Sequence, residues 1–326
     1  MIYFVFSGRA DAAPLYPVIE ALTSTGERSC VIPLPSCGDP TLGYTLSANR
    51  AANEFSIRKP SVVVVLGDRY EVYAAAGAAT MCRVPVAHIH GGEVTEGSFD
   101  DSLRNAISQL AEIHFVSAPQ YGERLKSMGR DNIHVVGAPG LDNVHKIFTE
   151  YKEKKSKREK RLVVTYHPAT RTEETVLPLL MALERFDDYE IVFTGVNTDP
   201  GGEIVDREIV EFSSHRPRVQ IHRGMMAGDY LHMCMTSTAV VGNSSAGLIE
   251  VPSLETPTVD IGKRQVGRLR GPSVFHAENN DADIAEKIRL AQKYNGPFDN
   301  PHIGPGASEK IADILIRRYG ESQVLH

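Results

Sequence analysis

Short hydrophobic runs alternate along the chain with longer stretches of helical periodicity. The runs are rich in Val and Ile, and Gly or Pro flanks them; they cover residues 2–6, 61–66, 84–89, 113–116 and 132–136, then 162–166, 190–194, 239–242 and 256–261. Strands buried on both faces of a parallel sheet have this composition, because helices cover each side. The pattern therefore predicts an α/β protein with two doubly wound, Rossmann-like units.

A dense run of charges separates the two series of predicted strands. The run EYKEKKSKREKR spans residues 150–161. It could be a strip that binds phosphate or RNA, but charge runs more often form a solvated linker or helix face. We therefore place a domain boundary here, with an N-terminal domain over 1–149 and a C-terminal domain over 150–306. The stretch 307–321 follows Gly-Pro-Gly and has the pattern of an amphipathic helix.

Composition and charge narrow the class of partner. The chain has 326 residues, of which 42% are hydrophobic, and a net charge of -6 at pH 7. This charge argues against nucleic acid as the main partner, although an anionic small molecule needs only a few local cations. The four cysteines form no CxxC pair. With no basic, apolar leader and no apolar stretch of about 20 residues, the sequence predicts a cytoplasmic protein without a membrane partner.

Acidic and basic side chains follow three predicted strands of the first half. Arg9 follows the first strand, Asp68 and Arg69 follow the run 61–66, and Glu93 and Asp100 follow the run 84–89. Taken singly, an acid at such a position is more often a helix cap. Carboxyl ends of parallel strands meet at one sheet edge, however, so we expect Asp68, Glu93 and Asp100 to converge. Crowded carboxylates can raise one another's pKa, which suits general acid–base catalysis.

The same region contains a possible metal motif. In His88-Ile89-His90-Gly91-Gly92-Glu93 the two histidines alternate along a strand and could therefore share a face. A third ligand at metal spacing is not evident, and the chain has no HExxH. The sequence therefore predicts no metal site.

The second half contains a segment suited to an anion. Small residues fill 242–247, between a predicted strand and a helix that begins near Ala246. Free N–H groups and the helix dipole attract phosphate at such a turn, although Ser244 taken alone is more often a helix cap. Glu250 could accept hydrogen bonds from ribose, and His167 and Arg264 could donate to a diphosphate. No GxxxxGK[ST] and no GxGxxG occur, so neither a P-loop ATPase nor an NAD cofactor is predicted.

Three long motifs resemble the hydrolysing UDP-N-acetylglucosamine 2-epimerases of the sialic-acid pathway. They are VVVVLGDRYEVYAAA, AHIHGGEVTEGSFDDSLRNAI and GNSSAGLIEVPSLETPTVDIGKRQVGR. GRAD near the N-terminus, the His-Pro pair at 167–168 and FTGVNTDPGG fit the same family. The resemblance extends over nearly the whole chain.

The resemblance implies a fold, a reaction and a set of site residues. The fold is glycosyltransferase-B-like, with the ligand in the cleft between two Rossmann-like domains, the terminal helix 307–326 packed back on the first domain, and usually a homodimer without metal. Such enzymes remove the C2 proton of the sugar and eliminate UDP to give a glycal, to which water adds with inversion at C2. The matching acid–base positions are Asp68, Glu93 and Asp100. The matching nucleotide and substrate contacts are Arg9, Arg69, His167, Asn197, Ser244, Ser245, Glu250 and Arg264.

Three departures from the family pattern concern the sugar end. Ala12-Ala13-Pro14 follows GRAD, Asn105 stands where the family has His, and the segment around 35–40 is shorter than in the family. They keep two alternatives open: a repurposed member with another glycosyl or nucleoside substrate, and a non-catalytic nucleotide-binding protein. The three retained carboxylates argue against the second alternative. The sequence also leaves open which of them removes the proton.

Overall fold

The computed structural model describes residues 1–35, 37–152, 158–196 and 200–320, except for the side chains of Arg9 and Ala10. The chain forms two compact units. The first contains Met1–Glu93, Asp100–Asn143 and the C-terminal part from His302, and the second contains Val94–Phe99 and Val144–Pro301. The change of unit near the middle of the chain falls between Asn143 and Val144, inside a helix. The boundary at 149/150 stays a sequence prediction.

Strands and helices alternate through both units. The strands are β1 Ile2–Phe6, β2 Ser29–Pro33, β3 Val62–Leu66, β4 Val86–Ile89, β5 Ile113–Val116, β6 Ile133–Val135, β7 Glu159–Thr165, β8 Glu190–Thr194, β9 Val219–His222, β10 Ser237–Gly242, β11 Thr258–Ile261 and β12 Val274–Ala277. The helices are α1 Arg9–Thr23, α2 Pro40–Arg58, α3 Tyr70–Met81, α4 Asp100–Leu110, α5 Pro119–Ser127, α6 Gly140–Tyr151, α7 Leu177–Leu183, α8 Gly202–Ser214, α9 Ala227–Thr236, α10 Ala246–Ile249, α11 Asp281–Gln292 and α12 Ala307–Tyr319.

The first unit contains a parallel sheet in the order β2-β1-β3-β4-β5-β6. Val62 to Val65 are all fully buried. Val62 and Val64 belong to one core and Val63 and Val65 to the other, because successive side chains of a strand point to opposite faces. Each buried valine stabilises the fold by about 1.5–3 kcal/mol. Apolar residues at every position of the strand therefore follow from a sheet that is covered on both faces, as predicted.

The C-terminal helix α12 packs within the first unit, in the same core as α1. Ile311 and Leu315 of α12 share that core with Leu15 and Leu22 of α1, and all four are fully buried. Asp142 caps α12, since its carboxylate accepts a hydrogen bond from the backbone N–H of Ser308 at 2.8 Å. The predicted amphipathic helix is present over Ala307–Tyr319.

The second unit contains a parallel sheet in the order β12-β11-β10-β7-β8-β9. Both sheets are therefore doubly wound, and the fold is the predicted one. The direction of winding reverses between β1 and β3 in the first sheet and between β7 and β10 in the second. Parallel α/β sheets bind ligands beyond the carboxyl ends of the strands at such a reversal. Within the described residues, no helix combines the length and the apolar character that crossing a membrane requires.

Candidate active site

The turn after β1 is built around Asp11. Its Oδ2 atom accepts hydrogen bonds from the backbone N–H of Ser7, at 3.0 Å, and from the Ser7 hydroxyl. Burial raises the pKa of Asp11, although the bonds from Ser7 and the charge of Arg69 oppose this shift. Asp11 therefore closes the turn that starts α1. Arg9, the predicted diphosphate contact, is the first residue of α1, and its side chain lies outside the described atoms.

The turn after β3 contains Asp68 and Arg69. Arg69 donates two hydrogen bonds to Glu71, from Nε to Oε2 at 3.2 Å and from Nη2 to Oε1 at 3.1 Å. Glu71 is fully buried, whereas the Arg69 side chain retains 21% exposure. This paired bond holds the guanidinium of Arg69 in one orientation at the carboxyl end of the sheet.

His88, the first histidine of the possible metal motif, has a structural role. Its Nε2 lies 2.8 Å from the carbonyl oxygen of Gly67, to which it must donate, so Nδ1 accepts from the Ser108 hydroxyl at 3.1 Å. Burial lowers the pKa of His88 to about 3, and the ring is therefore neutral at physiological pH. Among the described residues, no group of three or more His, Cys, Asp or Glu side chains could hold a metal ion.

The turn after β4 depends on two glycines. Gly92 has φ +78°, and a Cβ there would lie 2.4 Å from the carbonyl oxygen of Tyr121 on α5. A Cβ at Gly91 would lie 3.0 Å from both His88 Nδ1 and Ser108 Oγ. Only glycine satisfies the first constraint, which combines a left-handed backbone with close approach of another chain segment. The Gly-Gly pair thus lets the chain turn inward and bury Glu93.

Glu93 is fully buried in a hydrogen-bonded chain of polar groups. Its Oε1 atom lies 2.6 Å from His90 Nδ1 and accepts a bond from the Ser117 hydroxyl at 3.2 Å. Because the single hydroxyl proton of Ser117 goes to Glu93, Ser117 Oγ accepts from Nδ1 of the buried His302 at 3.0 Å. His90 and Ser117 therefore fix the orientation of this carboxylate, and His302 in turn orients Ser117.

Arg104 joins the two strand-end carboxylates. This side chain of α4 is only 1% exposed. Its Nη2 atom donates to Oδ2 of Asp68, its Nη1 atom donates to the carbonyl oxygen of His90 at 3.0 Å, and Nη1 also lies 3.7 Å from Oε2 of Glu93. Asp68 and Glu93 thus converge as predicted, but a cation lies with them, rather than carboxylates crowded against one another.

Asp100 belongs to the same cluster through α4, of which it is the first residue. Burial alone would lower the pKa of Arg104, but the charges of Asp68, Glu93, Asp101 and Asp100 outweigh burial and raise that pKa. Acidic residues in a first helical turn also interact favourably with the helix dipole. Asp68 and Glu93 therefore lie beside one permanently charged guanidinium, and Asp100, at the start of the same helix, acts on it through its charge.

In the second unit, Asn243 connects the carboxyl ends of β7 and β10. Its Oδ1 atom accepts from the backbone N–H of His167 at 2.8 Å, and its Nδ2 atom donates to the His167 carbonyl oxygen at 2.7 Å. Gly242 has φ +143°, and a Cβ there would lie 1.9 Å from the carbonyl oxygen of Thr165. The two strand ends therefore approach closely only because residue 242 is glycine.

The loop after β11 is attached to Asn243. Arg264 Nη1 and Gln265 Nε2 both donate to the Asn243 carbonyl oxygen, at 3.1 and 2.9 Å. The backbone N–H of Lys263 donates to the Glu174 carboxylate. His167 and Arg264, two predicted diphosphate contacts, are thus brought together by one buried amide residue.

Ser244 and Ser245 stand between β10 and α10, as predicted. Helix α10 begins at Ala246 and has only four residues, so its dipole is small. Ser245 is the N-cap residue, and its side chain makes no capping hydrogen bond within the described chain. Both serines are partly accessible. The predicted alternative, that Ser244 is the cap, is therefore wrong: the cap position is one residue later.

Glu250 is the C-cap residue that follows α10, and burial raises the pKa of its carboxyl to about 7. The interior around it includes Tyr230 and Cys234. Burial, together with the charge of Glu250, raises the pKa of the Cys234 thiol to about 12. Glu250 therefore titrates near neutrality, a property that the sequence did not indicate. Asn197, the remaining predicted substrate contact, lies outside the described residues.

The chain between Glu93 and Asp100 belongs to the second unit. Glu96 donates its backbone N–H to Val266 at 3.1 Å, and Gly97 accepts a backbone hydrogen bond from Arg171 at 3.3 Å. A Cβ at Gly97 would lie 2.4 Å from the carbonyl oxygen of Lys263. The segment that links two predicted acids therefore packs against the loop that contains Arg264.

Sequence reasoning missed several members of these networks. Asp11 and Arg104 lie within the motifs GRAD and DDSLRN. Their charge was the signal that could have identified them as members of the networks. Ser117 and His302 had no signal, because they meet Glu93 only through the fold. Asn243 lies in the turn 242–247, which was predicted to bind phosphate, but the sequence did not indicate its structural role.

Comparison with known proteins identifies relatives along most of the chain. A profile of the family described as UDP-N-acetylglucosamine 2-epimerase matches residues 42–316. The GDP/UDP-N,N'-diacetylbacillosamine 2-epimerase (hydrolyzing) of Campylobacter jejuni is 33% identical over 277 residues, which cover 79% of this chain and 72% of the relative. The UDP-N,N'-diacetylbacillosamine 2-epimerase (hydrolyzing) of Legionella pneumophila is 32% identical over 301 residues, which cover 89% and 78%.

A solved structure shares the fold. The UDP-GlcNAc 2-epimerase from Neisseria meningitidis, bound to UDP-GlcNAc, superposes with a TM-score of 0.82 at 18% sequence identity. The match covers 97% of this chain and 99% of that one. At this level of identity the likeness establishes a glycosyltransferase-B-like fold, in agreement with the two doubly wound sheets.

Proposed function

The chain belongs to the UDP-N-acetylglucosamine 2-epimerase family, and on that premise we propose that it is a hydrolysing UDP-sugar 2-epimerase. Its substrate is UDP-GlcNAc or a related UDP-sugar, such as the diacetylated one in the names of its relatives. A base removes the C2 proton, the C–H electrons form a C1=C2 bond, and the C1–O bond to UDP breaks. Water then adds its oxygen to C1 while C2 receives a proton on the opposite face, which gives the free 2-epimeric sugar.

The observation that carries this proposal is the buried Arg104 between Asp68 and Glu93. Removal of a weakly acidic C–H proton requires a positioned base, and a second group must return a proton to C2. We assign these two tasks to the carboxylates of the first unit, Asp68, Glu93 and Asp100. Arg104 keeps its charge and holds the carboxylates in one arrangement, so the site is organised before the substrate binds.

We assign the nucleotide to the second unit. His167, Ser244, Ser245 and Arg264 provide hydroxyl, imidazole and guanidinium donors at the carboxyl ends of β7 and β10 and on the adjoining loop. Such donors stabilise the charge that develops on a departing diphosphate. Glu250 would accept hydrogen bonds from the ribose hydroxyls. For Arg9, Arg69 and Asn197, the contacts with substrate stay predictions from the family resemblance.

Neither alternative that the sequence left open gains support from the relatives. The curated relatives compared above are described as hydrolysing epimerases, not as enzymes of nucleoside metabolism or as non-catalytic proteins. The resemblance also implies a homodimer, which light scattering would test, and a reaction without metal, which should survive EDTA. We propose the cytoplasm as the location, in keeping with four free thiols.

The direct test is product analysis with two substrates. The protein is incubated with UDP-GlcNAc and separately with UDP-N,N'-diacetylbacillosamine, and UDP and free sugar are quantified by chromatography. We expect stoichiometric UDP and 2-epimeric sugar from one or both. Release of no UDP from either substrate would contradict the proposal. Glu93→Gln should abolish turnover and spare UDP binding, and unchanged turnover would remove Glu93 from the mechanism.

A further inference from the structure

A second arginine contacts the main chain of the turn that contains Glu93. Arg124 on α5 is partly buried, and its Nη1 atom donates to the carbonyl oxygens of Gly92 at 3.3 Å and Glu93 at 3.0 Å. Hydrogen bonds from a charged donor are stronger than those from a neutral one. The Glu93 residue is therefore held at both ends, its carboxylate near Arg104 and its carbonyl oxygen by Arg124.

Asn105 holds Arg124 in turn. Its Oδ1 atom accepts from Arg124 Nη1 at 3.1 Å, and its Nδ2 atom lies 3.4 Å from Oδ2 of Asp101. The neighbouring groups determine the orientation of the amide, because the guanidinium can only donate and the carboxylate can only accept. Asn105 follows Arg104 directly on α4, so one helix provides both the cation at the Glu93 carboxylate and the anchor for Arg124.

We propose that Arg124, oriented by Asn105, is a positioning residue for Glu93 in the reaction. This inference rests on the proposed function, in which Glu93 is one of the acid–base groups. The pair sets the distance between the backbone of Glu93 and α4, the helix that begins with Asp100 and contains Arg104. It thereby determines how Glu93 and Asp100 face the same sugar carbon.

The packing of α5 explains why an arginine is needed here. The left-handed backbone of Gly92 lies so close to the Tyr121 carbonyl oxygen that no Cβ fits between them. The turn therefore packs directly against α5, and the carbonyl groups of Gly92 and Glu93 accept hydrogen bonds from that helix. Arg124 stands one helical turn after Tyr121 and donates those bonds from the same face. The Asn105 side chain, where the family has His, retains the acceptor that this arginine needs.

A purely structural role for Arg124 predicts different results. If Arg124 only stabilised the fold, its loss would lower the melting temperature and leave kcat per folded molecule unchanged. If it positions Glu93, kcat falls while KM and the affinity for UDP hold, because Arg124 hydrogen-bonds to Gly92, Glu93 and Asn105 and to none of the residues assigned to the nucleotide. A misplacement of a catalytic group by about 1 Å costs roughly 100-fold in rate.

The test compares Arg124→Met and Arg124→Lys with Lys126→Met, a matched control on the same helix. Lys126 is exposed and pairs only with Glu123 among the contacts of the described structure. For Arg124→Met we expect kcat to fall by roughly 10- to 100-fold, with KM for UDP-GlcNAc within about threefold of the wild-type value. Arg124→Lys should recover part of this loss, and Lys126→Met should behave like the wild type.

Two further variants test the role of Asn105. Asn105→Leu removes the acceptor and should lower kcat by about 10-fold, while Asn105→His supplies a ring nitrogen and should recover most of that loss. The inference is overturned if Arg124→Met keeps kcat within about twofold of the wild type, or if Asn105→His is as slow as Asn105→Leu.

Amide hydrogen exchange separates failure of this inference from failure of the proposed function. If the wild-type protein releases no UDP, the proposed function fails, and the exchange measurement still decides whether Arg124 holds the turn that contains Glu93. Peptides that cover residues 91–99 should exchange faster in Arg124→Met than in the wild type or Lys126→Met. Unchanged exchange in this segment would overturn the inference whatever the substrate.

Discussion

Lowering the pH is expected to destabilise the first unit through two buried imidazoles, His88 and His114. These residues are register partners on β4 and β5, and both are fully buried. Burial lowers the pKa of His88 to about 3 and that of His114 to about 4. Neither ring nitrogen of His114 has a hydrogen-bond partner in the described part of the chain.

The magnitude follows from proton linkage. In the unfolded chain both imidazoles bind protons below about pH 6.5, whereas in the folded state they stay neutral until about pH 4 for His114 and about pH 3 for His88. The unfolded state therefore binds more protons, and stability falls as the pH decreases from about 6.5. By about pH 5 each imidazole should cost about 2 kcal/mol, at about 1.36 kcal/mol per pH unit, or about 4 kcal/mol together.

The variant His114→Phe isolates half of this effect. Urea unfolding is followed by circular dichroism near pH 7 and near pH 5, because the chain contains no Trp for fluorescence. The loss of stability between these pH values should be smaller by about 2 kcal/mol in the variant than in the wild type. At neutral pH, removal of two unsatisfied nitrogens should leave stability equal or higher. An identical pH dependence in the two proteins would refute the reasoning.

Three other predictions concern the second unit. Asn243→Ala leaves the backbone N–H and C=O groups of His167 without their hydrogen-bond partners, which costs about 1–3 kcal/mol for each group. Calorimetry should therefore show UDP binding weakened by roughly 10-fold or more. Unchanged affinity would contradict the role of Asn243. Gly97→Ala should displace Lys263, because the added Cβ would meet its carbonyl oxygen, and should weaken UDP binding to a similar extent. An unaltered Kd for UDP would contradict this prediction. Because the carboxylate of Glu250 forms only above about pH 7, UDP binding should strengthen as the pH rises through that value. Glu250→Gln should lose this dependence, and a dependence that survives the substitution would contradict the assignment.

Most of the strands that could be predicted are buried on both faces. Val62–Leu66 is apolar at every position, Ile113–Val116 is apolar except for His114, and each strand is fully buried inside its sheet. The strands β2, β9 and β12 were not predicted; each lies at the edge of its sheet and is only partly buried. The remaining edge strand, β6, was predicted because it still has an apolar run at 132–136. An edge strand has fewer neighbours to exclude water, so its sequence does not need to be hydrophobic.

The acids of the candidate site could be predicted because they follow predicted strands. Asp68 and Glu93 follow central strands, and the topology alone brings the ends of β3 and β4 together. Arg104 could not be found in this way, since it lies in the middle of α4 and a helical position does not reveal which side chain the fold buries. The prediction of crowded carboxylates was accordingly incomplete, because it lacked the cation that separates them.

The sequence predicts a candidate anion site from the small residues at 242–247, and the structure supports only part of the physical reason for it. The small residues are needed, as Gly242 shows by its contact with Thr165. The helix dipole contributes less than expected, because α10 has one turn. Asn243 instead organises the neighbourhood: from the end of β10 it hydrogen-bonds to the end of β7 and to the loop after β11.

The origin of the hydrogen at C2 of the released sugar tests the central claim most directly. The reaction is run in D₂O with a UDP-sugar that the enzyme hydrolyses, and the product is examined by proton NMR before it exchanges in solution. Removal of the C2 proton by the carboxylates around Arg104 predicts one deuterium at C2 and the inverted configuration. A product that keeps its original hydrogen and configuration at C2 would show that UDP leaves by simple hydrolysis, and would contradict the account.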